Sequence, residues 1–355
     1  MSEPKLSRWS ATLRTGLTVL ISAAGGFAAD LLHLPASWLM GGALAVAISA
    51  LSGVRVMMPV WLRDLCFILT GMAMGVAVAR DSLMLIVQWP VTLAALLLEL
   101  IVIVATTGYM LRKLFRIDRG TAYMSSFPGH LGFVMGFAAA GVGDPRQITI
   151  IQVIRILMLT ICVPIGSIFL PIQHFTVAAP AAPMPIQSLL AVGAIAAVAG
   201  LAFSWLRVPA GFVLGAMAVS TTAKLSGFFD GALPAPLVIV TFVLVGALIG
   251  SRFRGITARE FQDAATGGLI ATAMTVLIVT LFAYGASMLV DIPFGQIWLG
   301  LSPGALEGMG ALGVALGYDT AFIAAHHVSR LLMLTVAIPV VVLLVRGRGP
   351  ASPGP

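Results

Sequence analysis

The sequence has few charged residues and few cysteines. Charged side chains make up 9% of its 355 residues, whereas hydrophobic side chains make up 59%. Soluble domains typically carry about 25% charged residues, so this chain lacks the charge needed to cover a water-facing surface. Its two cysteines, Cys66 and Cys162, both lie inside apolar stretches. This pattern argues against a disulfide framework and against a metal site built on clustered cysteines.

Long apolar segments fill most of the chain. Their lengths are near the roughly 20 residues with which a helix crosses a bilayer core about 30 Å thick. The sequence therefore predicts an all-α membrane protein. The apolar segments lie near residues 15–33, 35–53, 58–79, 89–111, 121–142, 147–170, 188–205, 209–226, 236–251, 266–288, 296–317 and 320–345. The first one lacks a small-residue cleavage pattern, so we interpret it as a span and not as a signal peptide.

The second half of the sequence repeats features of the first half at a nearly constant offset. Pro35 corresponds to Pro209, 174 residues later, and Arg155 corresponds to Arg330, 175 residues later. The same offset of 175 relates residues 157–160 to residues 332–335. Matches in register indicate a duplicated unit. We predict two membrane repeats, residues 1–180 and 181–355, joined by a Pro- and Ala-rich linker near residues 171–187.

The basic residues predict that the two repeats have opposite orientations. Loops rich in Lys and Arg are typically cytoplasmic, and such a loop follows the fourth segment of the first repeat, at residues 112–119. In the second repeat the basic residues follow the third segment instead, at residues 252–259. Opposite orientation requires that each repeat crosses the membrane an odd number of times. We therefore predict two inverted repeats of about five transmembrane helices, each with one re-entrant or broken segment. The alternative is a parallel duplication with six crossings in each repeat.

The Gly-rich segments 121–142 and 296–317 are the predicted broken segments, because each is interrupted by a Pro-Gly pair. A break frees N–H groups at a helix start, which favour an anion or a polar ligand. Inverted repeats with breaks at matching places are typical of transporter sites. A simple packing kink is the alternative interpretation. The breaks give these predicted substrate-binding residues: Ser126, Pro128, Gly129, His130, Ser302, Pro303 and Gly304.

Ionisable residues extend the predicted site. Glu307 follows the second break, where an acid is either a proton or cation site or a loop residue at the water boundary. Arg155 and Arg330 lie inside the last segment of each repeat. Each needs a partner, which is a carboxylate, the carbonyl groups freed by a break, or an anionic solute. Asp144 and Asp319 begin these segments, and we interpret both as helix caps.

The histidines are interpreted in the same way. His130 is either a proton carrier or a buried, hydrogen-bonded side chain. His326 and His327 are adjacent and so point about 100° apart on a helix, which favours a polar lining over a metal site. Glu99 stands alone in an apolar stretch and faces either a cavity or a partner subunit, as in a homodimer.

The motifs SFPGHLGF and LSPGALEGMGALG, each followed by an Asp and then by an Arg in a closing span, resemble the AbrB family of bacterial membrane proteins. The resemblance covers nearly the whole chain. It implies a multi-pass protein of the bacterial cytoplasmic (inner) membrane, and the basic ends of the chain predict cytoplasmic N- and C-termini. Members of this family carry the labels ammonia monooxygenase and regulator of gene expression. The architecture also resembles ten-span inverted-repeat carriers, at the level of the fold alone.

These observations favour a secondary transporter of a small polar or anionic solute. It would be proton- or sodium-coupled, with the site between the two broken segments. No P-loop is present in the sequence, which argues against direct ATP hydrolysis. The main alternative is a membrane sensor or regulator that affects gene expression through a partner. A membrane monooxygenase is less favoured, since its metal would want clustered His and carboxylates. We expect no catalytic residue, no metal, no cofactor and no nucleic-acid partner.

Overall fold

The computed structural model describes residues 8–78, 86–129, 131–168 and 182–346. Within these ranges the regular structure is helical, apart from one isolated bridge between Pro183 and Ala232. This confirms the predicted all-α membrane class. The helices of the first half are α1 Arg8–Leu31, α2 Ser37–Leu51, α3 Val60–Ala77, α4 Trp89–Leu114, α5 Arg119–Ser126, α6 Leu131–Ala139 and α7 Pro145–Ser167. Those of the second half are α8 Ile186–Trp205, α9 Gly211–Leu225, α10 Ala235–Ser251, α11 Ala258–Ser287, α12 Phe294–Leu301, α13 Leu306–Leu316 and α14 Thr320–Arg346.

Six helices of the described part are long and apolar enough to cross a membrane: α3, α4, α7, α8, α11 and α14. Four further apolar helices, α2, α9, α10 and α13, are shorter. Many large apolar side chains point away from the protein. Leu20 on α1 is 68% exposed and Val198 on α8 is 70% exposed. Side chains of this kind suit contact with lipid and do not suit contact with water.

The turns between the first two helices of each half have the same backbone geometry. Ala36 precedes α2 with φ 49°, and Ala210 precedes α9 with φ 53°. His33 and Arg207, which lie 174 positions apart, also have positive φ values of 53° and 58°. Residues other than glycine rarely take this conformation. The matching pairs therefore support the sequence alignment of the two halves, whose orientation in a membrane stays a prediction.

The two halves pack through helices that cross closely. The helix α3 lies along α9, and α2 lies along α10. A side chain at Gly71 on α3 would overlap the backbone carbonyl oxygen of Val213 on α9. A Cβ atom at Gly250 on α10 would lie 2.7 Å from the carbonyl oxygen of Ala43 on α2. Glycine at these positions allows the helix backbones to touch, which is the usual packing of small residues between membrane helices.

Both predicted broken segments are interrupted at their Pro-Gly pairs. The segment 121–142 divides into α5 and α6, and residues 127–129 of the interruption between them are described. The segment 296–317 divides into α12 and α13, with the interruption at residues 302–305. The chain turns sharply at both places, since Gly129 N–H donates to the Phe127 carbonyl and Gly304 N–H donates to the Ser302 carbonyl. The prediction that these segments are re-entrant or broken within a bilayer stays a prediction as to how far each one crosses.

The second halves of the two broken segments are packed differently. Every residue of α13 from Leu306 to Gly313 is buried, and α13 packs against α3, α10, α12 and α14. The equivalent helix α6 buries only Val134 and Ala138. A Cβ atom added at Gly132 or Gly136 of α6 would meet nothing within 4 Å. The structure is therefore asymmetric at the place where the two breaks meet.

Candidate functional site

A cavity of about 300 Å³ lies between the two breaks. Its walls come from both interruptions, from α7 and α14, and from the residues around the start of α9 and the end of α10. The lining residues are Gly129, Leu131, Gln152, Arg155, Ile156, Ala210, Arg252, Pro303, Gly304, Ala305, Leu306, Glu307, His327, Arg330 and Leu331. The fold thus brings residues of both halves into one cavity.

Arg155 reaches from α7 to the first break. Its Nη1 donates to the Ser125 carbonyl at 3.3 Å, and its Nη2 donates to the Phe127 carbonyl at 2.8 Å. These carbonyl groups end the short helix α5 and have lost their usual helical partners at the break. A positive charge is also favourable at the negative end of a helix. Arg155 therefore binds carbonyl groups freed by a break. This is one of the three kinds of partner predicted for it from the sequence.

Arg330 makes the equivalent contact in the second half. Its Nη1 donates to the carbonyls of Leu301 at 3.2 Å and Ser302 at 2.7 Å, and its Nη2 donates to the Gly304 carbonyl at 3.3 Å. The side chain reaches from α14 to the end of α12. Arg155 is 4% exposed and Arg330 is 2% exposed, so both charges are removed from bulk solvent.

A third arginine of the cavity is paired with an acid. Arg252, directly after α10, donates from Nη2 to the Oε1 of Glu307 at 2.5 Å. Glu307 is buried and lies in the first turn of α13, where the helix dipole also favours a negative charge. This pair compensates the charge of Glu307. Arg155 and Arg330, in contrast, donate their hydrogen bonds within the described residues to backbone carbonyls.

Gln152 and His327 line the cavity from equivalent positions of α7 and α14, 175 residues apart. Gln152 Nε2 donates to the Met124 carbonyl at 3.2 Å. His327 Nδ1 donates to the Ile323 carbonyl at 2.9 Å, because a carbonyl oxygen can only accept. Its Nε2, like the Nε of Arg155, has no hydrogen-bond partner among the described residues. Both atoms are buried.

Comparison of the sequence with known proteins identifies its family. The family model described as "Transition state regulatory protein AbrB" matches residues 1–85 and 38–346. The chain belongs to the AbrB family. It is 26% identical over 337 residues to "Putative regulator AbrB" of Escherichia coli (strain K12), covering 92% of this chain and 93% of that protein. It is 21% identical over 359 residues to "Uncharacterized protein YhjN" of Bacillus subtilis (strain 168), covering 90% of each. No solved structure matches the chain.

The cavity of this AbrB protein includes seven of the predicted site residues. They are Gly129, Arg155, Pro303, Gly304, Glu307, His327 and Arg330. Another predicted residue, His130, lies outside the described residues.

Three further predicted residues, Ser126, Pro128 and Ser302, do not line the cavity. The Ser126 hydroxyl donates to the Ala122 carbonyl, and the Ser302 hydroxyl donates to the Trp298 carbonyl, each within its own helix. Pro128 is buried but does not line the cavity.

His326 is held in the packing between α14 and α4 and not in the cavity. Its Nδ1 donates to the Phe322 carbonyl at 2.9 Å, and its Nε2 lies 2.7 Å from the Thr92 hydroxyl. The ring also stacks on Phe322, with ring centroids 3.9 Å apart. The neighbouring histidines therefore have different surroundings, as their angular separation on the helix predicts. No group of three or more His, Cys, Asp and Glu side chains that could hold a metal occurs in the described ranges.

Sequence reasoning missed Arg252 and Gln152 as cavity residues. Arg252 belongs to a basic cluster that we interpreted as a topology signal, and its partner Glu307 is 55 positions away. Gln152 is a polar residue inside an apolar segment, and it aligns with His327 of the second half. These two features could have predicted Gln152 as a cavity residue.

Proposed function

We propose that this AbrB protein is a secondary membrane transporter of a small anionic solute. The observation that supports the proposal is the cavity between the two breaks, with buried arginines from both halves in its wall. Polar backbone groups freed within a membrane helix persist only against protein, water or a ligand. Charged residues at such depth are expensive and are typically functional.

The charge balance of the cavity favours an anion. Arg155, Arg252 and Arg330 contribute three positive charges to the lining, and Glu307 contributes one negative charge, so the balance is +2. The N-terminal turn of α13 also borders the cavity and adds the positive end of a helix dipole. In a site shielded from water these charges act strongly on a bound ion. A volume of about 300 Å³ suits a small molecule.

The unequal packing of α6 and α13 supports a carrier with two conformations. If the halves exchange roles, α6 would become buried and α13 would loosen, and the cavity would change the side from which it opens. Gly132 and Gly136 fit this proposal, since they leave room on α6 for a close contact that the present conformation does not make.

Uptake into proteoliposomes tests the proposal. The purified protein would be offered radiolabelled acetate, lactate, succinate, citrate, phosphate and sulfate, with glucose as a neutral control. We expect saturable uptake of at least one anion, reduced at least tenfold by Arg252→Gln. The matched control is Arg146→Gln, because Arg146 is an exposed arginine that pairs with Glu260 outside the cavity. Absence of uptake for every anion by folded protein would contradict the proposal.

The name of the Escherichia coli relative, "Putative regulator AbrB", favours a second candidate, a membrane regulator. In that case an expression phenotype of a deletion strain would be restored by the Arg252→Gln variant as well as by the unchanged protein. A transporter whose expression effects are indirect would restore the phenotype only when it transports.

A further inference from the structure

The helix α4 carries a buried acid, Glu99, that lies outside the cavity lining. Glu99 lies near the middle of the apolar span 86–114 and is 0% exposed. Neither of its carboxylate oxygens has a hydrogen-bond partner among the described groups. Its neighbours one turn away on the same helix face, Leu96 and Ile103, are also fully buried and apolar. An unpaired carboxylate in such surroundings is very costly, which marks Glu99 as a functional group.

The charge that acts on Glu99 is Arg330. The helix α4 packs against α5, α11 and α14. From α14, Arg330 interacts electrostatically with Glu99, while His326 is bonded to Thr92 and His327 lines the cavity. The ionisable groups of α5 are Arg119 and Tyr123, and those of α11 are Arg259, Glu260, Asp263 and Tyr284. Of all these described groups, Arg330 is the one whose charge acts on Glu99.

We propose that Glu99 carries the coupling proton of this transporter and that its protonation prepares Arg330 to bind the anionic solute. The inference rests on the proposed transport function. Arg330 lines the cavity and also interacts with Glu99, so one guanidinium is shared between an acid and the solute site. When Glu99 is ionised, its negative charge compensates the positive charge of Arg330 from outside the cavity. Once Glu99 takes up a proton and becomes neutral, the charge of Arg330 is available to a solute anion.

Binding of a proton to Glu99 and binding of the solute anion at Arg330 therefore favour each other. One proton and one negative charge of the solute enter together, and the buried region keeps its total charge. Such coupling between two sites typically changes affinity by about 5- to 150-fold, and the effect is reciprocal. The expected mode is cotransport of a proton with the anion in the same direction.

A proton fits Glu99 better than Na⁺ does. Hard cations are typically held by several oxygen ligands in one place. No donor or acceptor is bonded to the Glu99 oxygens in the described part of the chain, and the adjacent turns supply apolar side chains. A proton needs no further ligand, because it converts the carboxylate into a neutral acid that an apolar site tolerates.

Labelling with dicyclohexylcarbodiimide tests proton binding without a solute. This apolar reagent adds to protonated carboxyl groups, and mass spectrometry locates the adduct. We expect Glu99 in lipid-reconstituted protein to be labelled at low pH and labelling to fall as the pH rises. Glu307, whose Oε1 is paired with the Arg252 guanidinium, is the internal control for a carboxylate that has a charged partner. Glu99 that stays unlabelled at every pH would overturn the inference.

Proton flux tests the coupling. Proteoliposomes loaded with a pH-sensitive dye would be given the anions of the uptake panel. We expect Glu99→Gln to retain exchange of labelled for unlabelled anion but to lose anion-driven proton entry at least tenfold. Glu260→Gln, which changes an exposed acid, is the matched control and should retain both. Full proton entry with Glu99→Gln would overturn the inference. If no panel anion moves at all, the proposed function fails, and the labelling alone decides whether Glu99 binds a proton.

Discussion

Arg155 donates a hydrogen bond to the carbonyl oxygen of Phe127 at 2.8 Å, and the same contact recurs 175 positions later between Arg330 and Ser302 at 2.7 Å. In both halves the arginine follows its carbonyl partner by 28 residues. Each guanidinium therefore closes the open end of a short helix at the break. The arginines stabilise the interruptions that create the cavity, in addition to supplying its positive charge.

Replacing these arginines is expected to destabilise the fold. Arg330→Gln should lower the free energy of unfolding more than Arg155→Gln, because Arg330 donates to three carbonyls and Arg155 to two. Each buried carbonyl left without a donor costs about 1–3 kcal/mol. Unfolding in detergent micelles, followed by tryptophan fluorescence, measures the change. Equal stability of both variants and the unchanged protein would contradict the capping role, and Arg146→Gln serves as the exposed control.

The close crossing of α3 and α9 is expected to tolerate no added methyl group. Gly71→Ala should destabilise the protein by about 1–3 kcal/mol, since the new Cβ would overlap the backbone of Val213 and no flexible side chain can yield. Gly136→Ala on α6 is the control, because it meets open space and alanine favours a helix by up to about 1 kcal/mol. Titration with SDS in mixed micelles compares the two variants. A loss of stability in Gly136→Ala as large as in Gly71→Ala would be inconsistent with the packing.

The inverted orientation predicts that equivalent helix ends lie on opposite sides of the membrane. Single cysteines at Lys113, near the end of α4, and at Leu289, just after α11, should react with an impermeant maleimide from the cytoplasm and from outside, respectively. Cys66 and Cys162 are replaced first, so that each variant carries a single cysteine. Labelling of both positions from one side would favour the parallel duplication.

Movement of α13 is expected to be necessary for transport. A Cβ atom at Gly310 would lie 3.2 Å from Met74 Cγ on α3, so cysteines at these two positions are close enough to form a disulfide. Oxidation of the Met74→Cys, Gly310→Cys double variant should stop anion uptake, and a reducing agent should restore it. The two single variants are the controls. Undiminished uptake by the cross-linked protein would show that α13 stays in place during transport.

Local sequence signals predicted the elements of the fold, and they did so for physical reasons. Apolar length indicates membrane helices, and a Pro-Gly pair disfavours continuation of a helix, so both breaks could be placed from the sequence. The requirement for a partner narrowed the role of Arg155 and Arg330 to three alternatives, one of which is the observed contact.

Other features depend on three-dimensional packing that the sequence does not encode locally. The pairing of Arg252 with Glu307 joins helices that are distant along the chain. The difference in burial between α6 and α13 does not follow from composition, because both helices are apolar and contain glycine. For Glu99, the sequence showed an isolated acid, but only the fold packs α4 against α14, the helix that carries Arg330.

The placement of each arginine within the half that it caps has a consequence for the origin of the chain. A polypeptide corresponding to one half would contain the arginine that binds the carbonyl groups at its own helix break. It would still leave α2 and α3 uncovered, since these pack on α10 and α9 of the other half. If the two halves descend from one duplicated unit, as the sequence predicts, an ancestor of half the present length would have needed to associate with a second copy of itself.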